Sequence, residues 1–224
     1  MTYFDFIEEL KSLAEPNFAR FQRGLIFTKY EILGVRTPIM RKLAKVWKGR
    51  EKELLDFPNE YYEIVFIKLI AISALPFEEF VKCVDYGVSL MDNWALCDSF
   101  KAKCISKHKR DFLPVLEALF EKGGEYYQRY VLVTLLFEYN QEEYFSHIWA
   151  YISQANMQLY YVHMAVAWLV AEILIKHYKE GVSFLEKRKL PVKTHNKAIQ
   201  KAIESYRLTL EQKEILRSLK IKEK

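Results

Sequence analysis

The chain has 224 residues, 51% hydrophobic and 28% charged, enough to bury a core and too apolar for a disordered polymer. Glycine is scarce, seven residues or about 3% against roughly 7% on average, and there are only six prolines; an all-β sandwich and a glycine-rich nucleotide-binding fold are both disfavoured. A net charge of +5 and a pI near 8.9 lean toward anionic partners.

The opening MTYFDFIEEL has no basic leader and carries Asp5, Glu8 and Glu9, so it does not read as an export signal. FDFIEELKSLAEPNFARFQRGL and TPIMRKLAKVWKG read as a helix pair. The tight turn ILGVRTP joins them, with Thr37 as N-cap and Pro38 at the first helical position. Residues 36–50 hold Arg36, Arg41, Lys42, Lys45, Lys48 and Arg50 with no acid. Tyr61-Tyr62 then opens the apolar helix EIVFIKLIAISAL, followed by the amphipathic PFEEFVKCVDYGVSLM. Asn93-Trp94 opens ALCDSFKAKCISK, which runs into a second basic stretch, Lys101, Lys103, Lys107, Lys109 and Arg110. FLPVLEALFEKGG ends at a glycine pair suited to a helix C-terminus. Tyr126-Tyr127 opens QRYVLVTLLFEY, and QEEYFSHIWAYISQ carries acids in its first turn. Tyr160-Tyr161 opens VHMAVAWLVAEIL. Thr194-His195 opens NKAIQKAIESYRL, inside a third basic stretch, 184–207, where seven cations face only Glu186 and Glu204. The tail EQKEILRSLKIKEK reads as solvated and frayed.

The five openings start at 61, 93, 126, 160 and 194, in steps of 32, 33, 34 and 34 residues. Two helices per step of this size describe an α-solenoid, so the expected fold is all-α, a superhelix of stacked helix pairs in one domain over 1–224. Apolar stretches are broken well before the 18 or so residues of a membrane span. The three cysteines, Cys83, Cys97 and Cys104, include no CxxC pair, which suits a reducing cytoplasm and argues against a disulfide framework or a zinc site. No metal or cofactor is expected.

Within this register Trp94 and Asp98 stand four residues apart on one helical face, at plus one and plus five from their marker. Trp168, two steps on, stands at plus eight on the same stripe. An aspartate on so apolar a helix either faces a polar cleft or caps a neighbour, and the tryptophans either line that cleft or belong to the core. Arg129, at plus three, is a lone cation opening an apolar helix. It either reaches the tryptophan stripe or pairs with an acid such as Glu125 or Glu138. His163, His108 and His147 show no ligand spacing, and Cys97 reads as a buried structural thiol. The three basic stretches either follow a phosphate backbone or are solvated helix faces. No Walker loop, GxSxG, HExxH or EF-hand is present.

The stretches ILGVRTPIMRKLAK, DNWALCDSF, YYQRYVLVTLLFEY, YYVHMAVAWLVAEILIKHY and THNKAIQKAIESYRLT resemble the AlkD-type alkylpurine DNA glycosylases, the HEAT-like-repeat DNA alkylation repair proteins. The resemblance covers roughly residues 4–210. It implies an all-helical superhelix of HEAT-like repeats whose basic concave face holds duplex DNA. It also implies monofunctional excision of cationic N3- or N7-alkylated purines without base flipping, metal-free and cofactor-free. In that frame Asp98 is the catalytic aspartate, Trp94 and Trp168 are the tryptophans that meet the deoxyribose and backbone, and Arg129 is the arginine of the cleft. The basic stretches then supply DNA contacts at Arg36, Arg41, Lys101, Lys103, Lys193, Lys197 and Lys201. The expected protein is a cytoplasmic monomer, nucleoid-associated when bound to DNA. A non-catalytic DNA-binding scaffold is the alternative, and a protein-interaction solenoid a third reading.

Overall fold

The computed structural model describes residues 2–222. Among the described residues it contains 14 α-helices, two 3-10 turns and no strand; one isolated bridge joins Glu31 and Tyr61. No helix among these residues is long and apolar enough to cross a membrane. The chain forms two compact units, Met1–Val115 and Leu116–Lys224.

In the first unit, the opening stretch is two helices rather than one: α1 (Tyr3–Ser12) and α2 (Pro16–Leu25). Pro16 has no amide hydrogen and disfavours helical backbone at Glu15, which is extended at φ −115° and ψ 105°, so the helix cannot run through. The Glu15 amide donates instead to the Gly34 carbonyl at 3.1 Å. Gly34 has φ +97°, and a Cβ there would lie 2.5 Å from the Glu15 carbonyl oxygen, so only glycine fits this crossing. In α3 (Thr37–Val46) the cap is Arg36, not Thr37. The Ile39 and Met40 amides donate to the Arg36 carbonyl, at 2.9 and 3.1 Å, which starts the helix one residue earlier than expected.

The centre of this unit is α5 (Tyr62–Ser73), apolar on every side and packed against α3, α4 (Glu51–Leu55), α6 (Phe77–Ser89) and α7 (Trp94–Ser99). It carries two charged residues, both fully buried. The Glu63 carboxylate accepts from the amides of Leu33, Gly34 and Val35, at 3.2, 2.7 and 3.2 Å. The Lys68 ammonium donates to the carbonyls of Leu55 and Phe57, at 2.9 and 2.5 Å, and to Asn59 Oδ1 at 2.8 Å. Each charge therefore holds a stretch of backbone whose polar groups would otherwise be buried without partners. Burial pushes the Lys68 ammonium down to about 8, against partial support from Asp56.

The helix expected from 95 onward stops early. Phe100, buried with φ −84° and ψ 76°, turns its ring onto Phe80, 5.8 Å between centroids, and onto Gly87 of α6. A Cβ on Gly87 would lie 2.6 Å from the Phe100 Cζ. That docking takes Phe100 out of helical geometry, and Lys103–Lys107 continues only as a 3-10 turn. α8 (Lys109–Glu121) follows and carries the boundary between the units.

In the second unit α11 (Tyr160–Lys176) lies between α9 (Glu125–Glu138) and α13 (Val192–Glu204). α11 is apolar all round, as α5 is, and α9 is buried along most of its length. The amphipathic α10 (Phe145–Gln154), α12 (Tyr178–Glu186) and α14 (Leu210–Ser218) pack on α9, α11 and α13 respectively. Trp149 of α10 stacks on Phe184 of α12 at 4.1 Å. Each of the five sequence markers falls at the cap or in the first turn of α5, α7, α9, α11 or α13. The glycine pair Gly123-Gly124 takes positive φ values between α8 and α9. The tail is not frayed as far as it is described. A capping box between Thr209 and Gln212 starts α14, and Leu216 is fully buried; residues 223–224 lie outside the described range.

Two outcomes follow for this fold. Gly87→Ala, a change that in a helix interior normally stabilises by about 0.5–1 kcal/mol, is expected here to destabilise by roughly 1–3 kcal/mol through overpacking against Phe100; urea unfolding reads the sign. For Lys68, the unfolded chain keeps its proton to about pH 10.5 and the folded chain releases it near 8, so in that interval the unfolded state binds more protons. The stability advantage of wild type over Lys68→Met is therefore expected to grow with pH, by roughly 1–2 kcal/mol between about pH 7.5 and 9.5. A pH-independent difference in denaturant midpoints would contradict it.

Candidate active site and nucleic-acid interface

α7 is short, and its position is set from outside. Asn93, fully buried and extended, caps it by accepting from the amides of Ala95 and Leu96, at 3.0 and 3.1 Å. The Asn93 Nδ2 donates to Asp92 Oδ1 at 2.7 Å, and Asp92 accepts from the Thr28 hydroxyl at 2.9 Å and the Lys29 amide at 2.7 Å. The Tyr30 hydroxyl donates to the Leu90 carbonyl at 2.7 Å. Leu96 and Cys97 are buried, as expected for a structural thiol at 97. Trp94, 38% exposed, and Asp98, half-buried, share the other face at i and i+4. Asp98 is thus not sealed in a dry core, and Trp94 is not a core aromatic.

Two of the basic stretches meet in the first unit. Arg41 and Lys45 of α3 and Lys101, Lys103 and Lys107 line one groove of about 900 Å³, together with His108. Its apolar floor is formed by Ile70, Ala74, Leu75 and Pro76; no described carboxylate lines it, though His108 at its edge pairs with Asp111 at 3.4 Å. Such a groove presents positive potential over a low-dielectric surface, which favours extended anions. Arg36 is engaged elsewhere. Its guanidinium makes two bonds to the Glu15 carboxylate, at 3.0 and 2.7 Å, and lies 4.2 Å over the Phe18 ring, which holds the Glu15 carboxyl below its usual range. Arg50 likewise pairs with Glu53, at 3.0 and 2.5 Å. Arg36 and Arg50 are therefore offset by acids outside their own basic stretch.

In the second unit Arg129, 5% exposed on α9, donates through Nη1 to the Tyr161 carbonyl at 3.0 Å, with its guanidinium 5.7 Å from the Tyr161 ring centroid. Glu125 of the same helix accepts from the Tyr161 amide at 2.6 Å. The two residues grip the start of α11 from α9. Trp168, half-buried on α11, meets Phe137 edge-on at 5.5 Å. Lys201 of α13 is half-buried, and its ammonium is held below its usual range by burial and by the nearby charges of Lys197 and Arg129, against Glu204. Cations on α9 and α13 thus stress one another, a field that a bound anion relieves. Of the four catalytic candidates, Trp94 and Asp98 share one helix of the first unit; Arg129 and Trp168 belong to the second.

Several residues with a clear task were not singled out as site candidates. Glu63 and Lys68 lay inside an apolar run and read as interruptions of it; only their neighbours in space reveal what they hold. Lys45 and Lys107 were visible in the basic stretches. His163 is buried with Nδ1 2.9 Å from the Thr194 hydroxyl. Among the described residues no group of three His, Cys, Asp or Glu side chains is arranged to hold a metal ion.

Comparison with known proteins brings these observations together. No curated relative matches the chain. The family model described as DNA alkylation repair enzyme matches residues 6–206, nearly its whole length. The chain belongs to the DNA alkylation repair enzyme family.

Proposed function

We propose that this protein is a monofunctional DNA glycosylase that hydrolyses the N-glycosidic bond of cationic N3- or N7-alkylated purines in duplex DNA, without flipping the base. The observation that carries the reading is a carboxylate, Asp98, half-exposed beside the half-exposed Trp94 on a helix anchored at both ends, in a chain of a DNA alkylation repair family. The helix pairs are read as HEAT-like repeats on the strength of the resemblance. DNA as partner follows from the family, and the cation-rich groove around Arg41, Lys101 and Lys103 supports it.

The chemistry needs few parts. An N-alkylated purine already carries positive charge, so its bond to C1′ breaks with the electron pair leaving on the base and no general acid is required. What remains is an oxocarbenium-like sugar and a water that must add to C1′. The Asp98 carboxylate stabilises the first electrostatically and accepts the proton that the water gives up as its oxygen bonds to C1′. Trp94 covers the sugar and limits bulk water. Arg129 and Trp168 are assigned to the same reaction, as a phosphate ligand and a backbone contact, on the resemblance alone. In this reading Arg41, Lys101, Lys103, Lys193, Lys197 and Lys201 meet phosphates, with Arg36 a weaker contributor because Glu15 already engages it.

The expected result is release of 7-methylguanine or 3-methyladenine from alkylated duplex DNA by wild type, reduced on the order of 10²–10³-fold by Asp98→Asn with duplex affinity nearly unchanged. Salt-sensitive duplex binding with no base release by wild type would instead support a non-catalytic DNA-binding scaffold. Binding indifferent to salt, or none, would remove both readings in favour of a protein-interaction module.

A further inference from the structure

The matched family span ends at residue 206, yet the chain beyond it is closely tied to the second unit. After α14 the backbone runs along α13 and is bonded to it residue by residue. His195 Nε2 donates to the Leu219 carbonyl at 3.0 Å. Asn196 makes a paired contact with Ile221, donating to its carbonyl at 2.8 Å and accepting from its amide at 2.9 Å. The Tyr178 hydroxyl holds the helix itself through the Gln212 carbonyl at 3.1 Å. Ordering a terminus costs conformational entropy, so so many specific bonds fix the tail in one place.

Lys220 lies between the two anchored residues Leu219 and Ile221. Its ammonium donates to Gln200 Oε1 at 3.0 Å. Gln200 stands seven residues from Lys193 and three from Lys197, on the same face of α13. The three lysines, with Tyr160 and His163 of α11, line a pocket of about 340 Å³ whose described lining includes no carboxylate; Gln200 also donates to Glu204 Oε1 at 2.9 Å. His163 stays neutral near pH 7, because burial and then the charges of Lys193 and Lys197 push its pKa down. The pocket therefore gathers three ammonium groups and one uncharged ring.

We propose that Lys193, Lys197 and Lys220 form a phosphate site completed by the C-terminal segment, and that its occupant is a backbone phosphodiester of duplex DNA. The second half of this proposal rests on the DNA-binding reading above. Three like charges lining one pocket are mutually unfavourable, and a tetrahedral anion with several acceptor oxygens is the group that matches three flexible donors. Tyr160, 57% exposed at the rim, offers a ring beside the phosphate, where a sugar or base edge would lie. The tail is thus a working part of the binding surface rather than an appendage to it.

The test uses the full chain as wild type, Lys220→Met, Lys220→Arg and, as control, Lys179→Met on the exposed surface of α12. Affinity for a short undamaged duplex is measured against salt concentration. Loss of one phosphate contact lowers the steepness of the log–log salt plot by about one. Lys220→Met is expected to show that drop and a several-fold loss of affinity, with melting temperature unchanged, while Lys220→Arg and the control keep the wild-type slope. Equal slopes for wild type and Lys220→Met would overturn the tail site and leave DNA binding standing. A second arm follows the backbone amide resonances of residues 193, 197 and 220 as inorganic phosphate is added. Phosphate-induced shifts that vanish in Lys220→Met, in a protein without duplex affinity, would support the site and refute DNA as its occupant. No duplex affinity and no phosphate-induced shift would overturn both.

Discussion

The first unit depends on two charges that have no access to water. Glu63 and Lys68 sit on α5, the helix around which the unit is arranged, and each is met mainly by backbone groups, Lys68 with help from Asn59 and Asp56. A buried charge without compensation is prohibitive, so the loops that supply those groups are held as firmly as the charges are. Glu63 fixes residues 33–35 and with them the approach to α3. Lys68 fixes the exit from α4. Since Arg41 and Lys45 project from α3, the basic groove inherits its geometry from a carboxylate that no ligand touches.

Charge elsewhere in the molecule is divided by the same logic. Arg36 and Arg50 are neutralised locally by Glu15 and Glu53, and such exposed pairs contribute little to stability. Around the groove of the first unit and on α13 described cations outnumber acids, with Asp111 beside His108 and Glu204 at the end of α13 as partial offsets, an arrangement that favours an anionic partner. The net charge of +5 understates this, because acids elsewhere on the chain offset cations that are not part of either cluster.

Much of this was legible from the chain alone. The paired aromatic markers anticipated where α5, α7, α9, α11 and α13 begin, because apolar helices need a recognisable entry. The i, i+4 relation of Trp94 and Asp98 survives because both fall within α7. What the sequence did not carry was contact between distant segments. The early end of α7 comes from Phe100 seating on Gly87, and the break after α1 from Pro16 together with the crossing at Gly34. The acid partner of Arg36, Glu15, lies 21 residues upstream in another segment, and that of Arg50, Glu53, just past the basic window. The tail looked solvated because its own side chains are polar; its order comes from backbone bonds to His195 and Asn196, which no hydropathy pattern displays.

The anchoring of α7 also bears on how the first unit assembles. Most helices here pack on near neighbours along the chain, α3 on α5 and α5 on α6, so loop-closure entropy is small and folding can follow synthesis. The bonds that seat α7 are different: Asp92 to Thr28 and Lys29, and Leu90 to Tyr30, join residues 60 to 64 positions apart. Each such closure costs somewhat more chain entropy than a contact between neighbours along the chain. The placement of Trp94 and Asp98 therefore depends on a segment sixty or more residues upstream, around Thr28 and Tyr30, as well as on packing against α5.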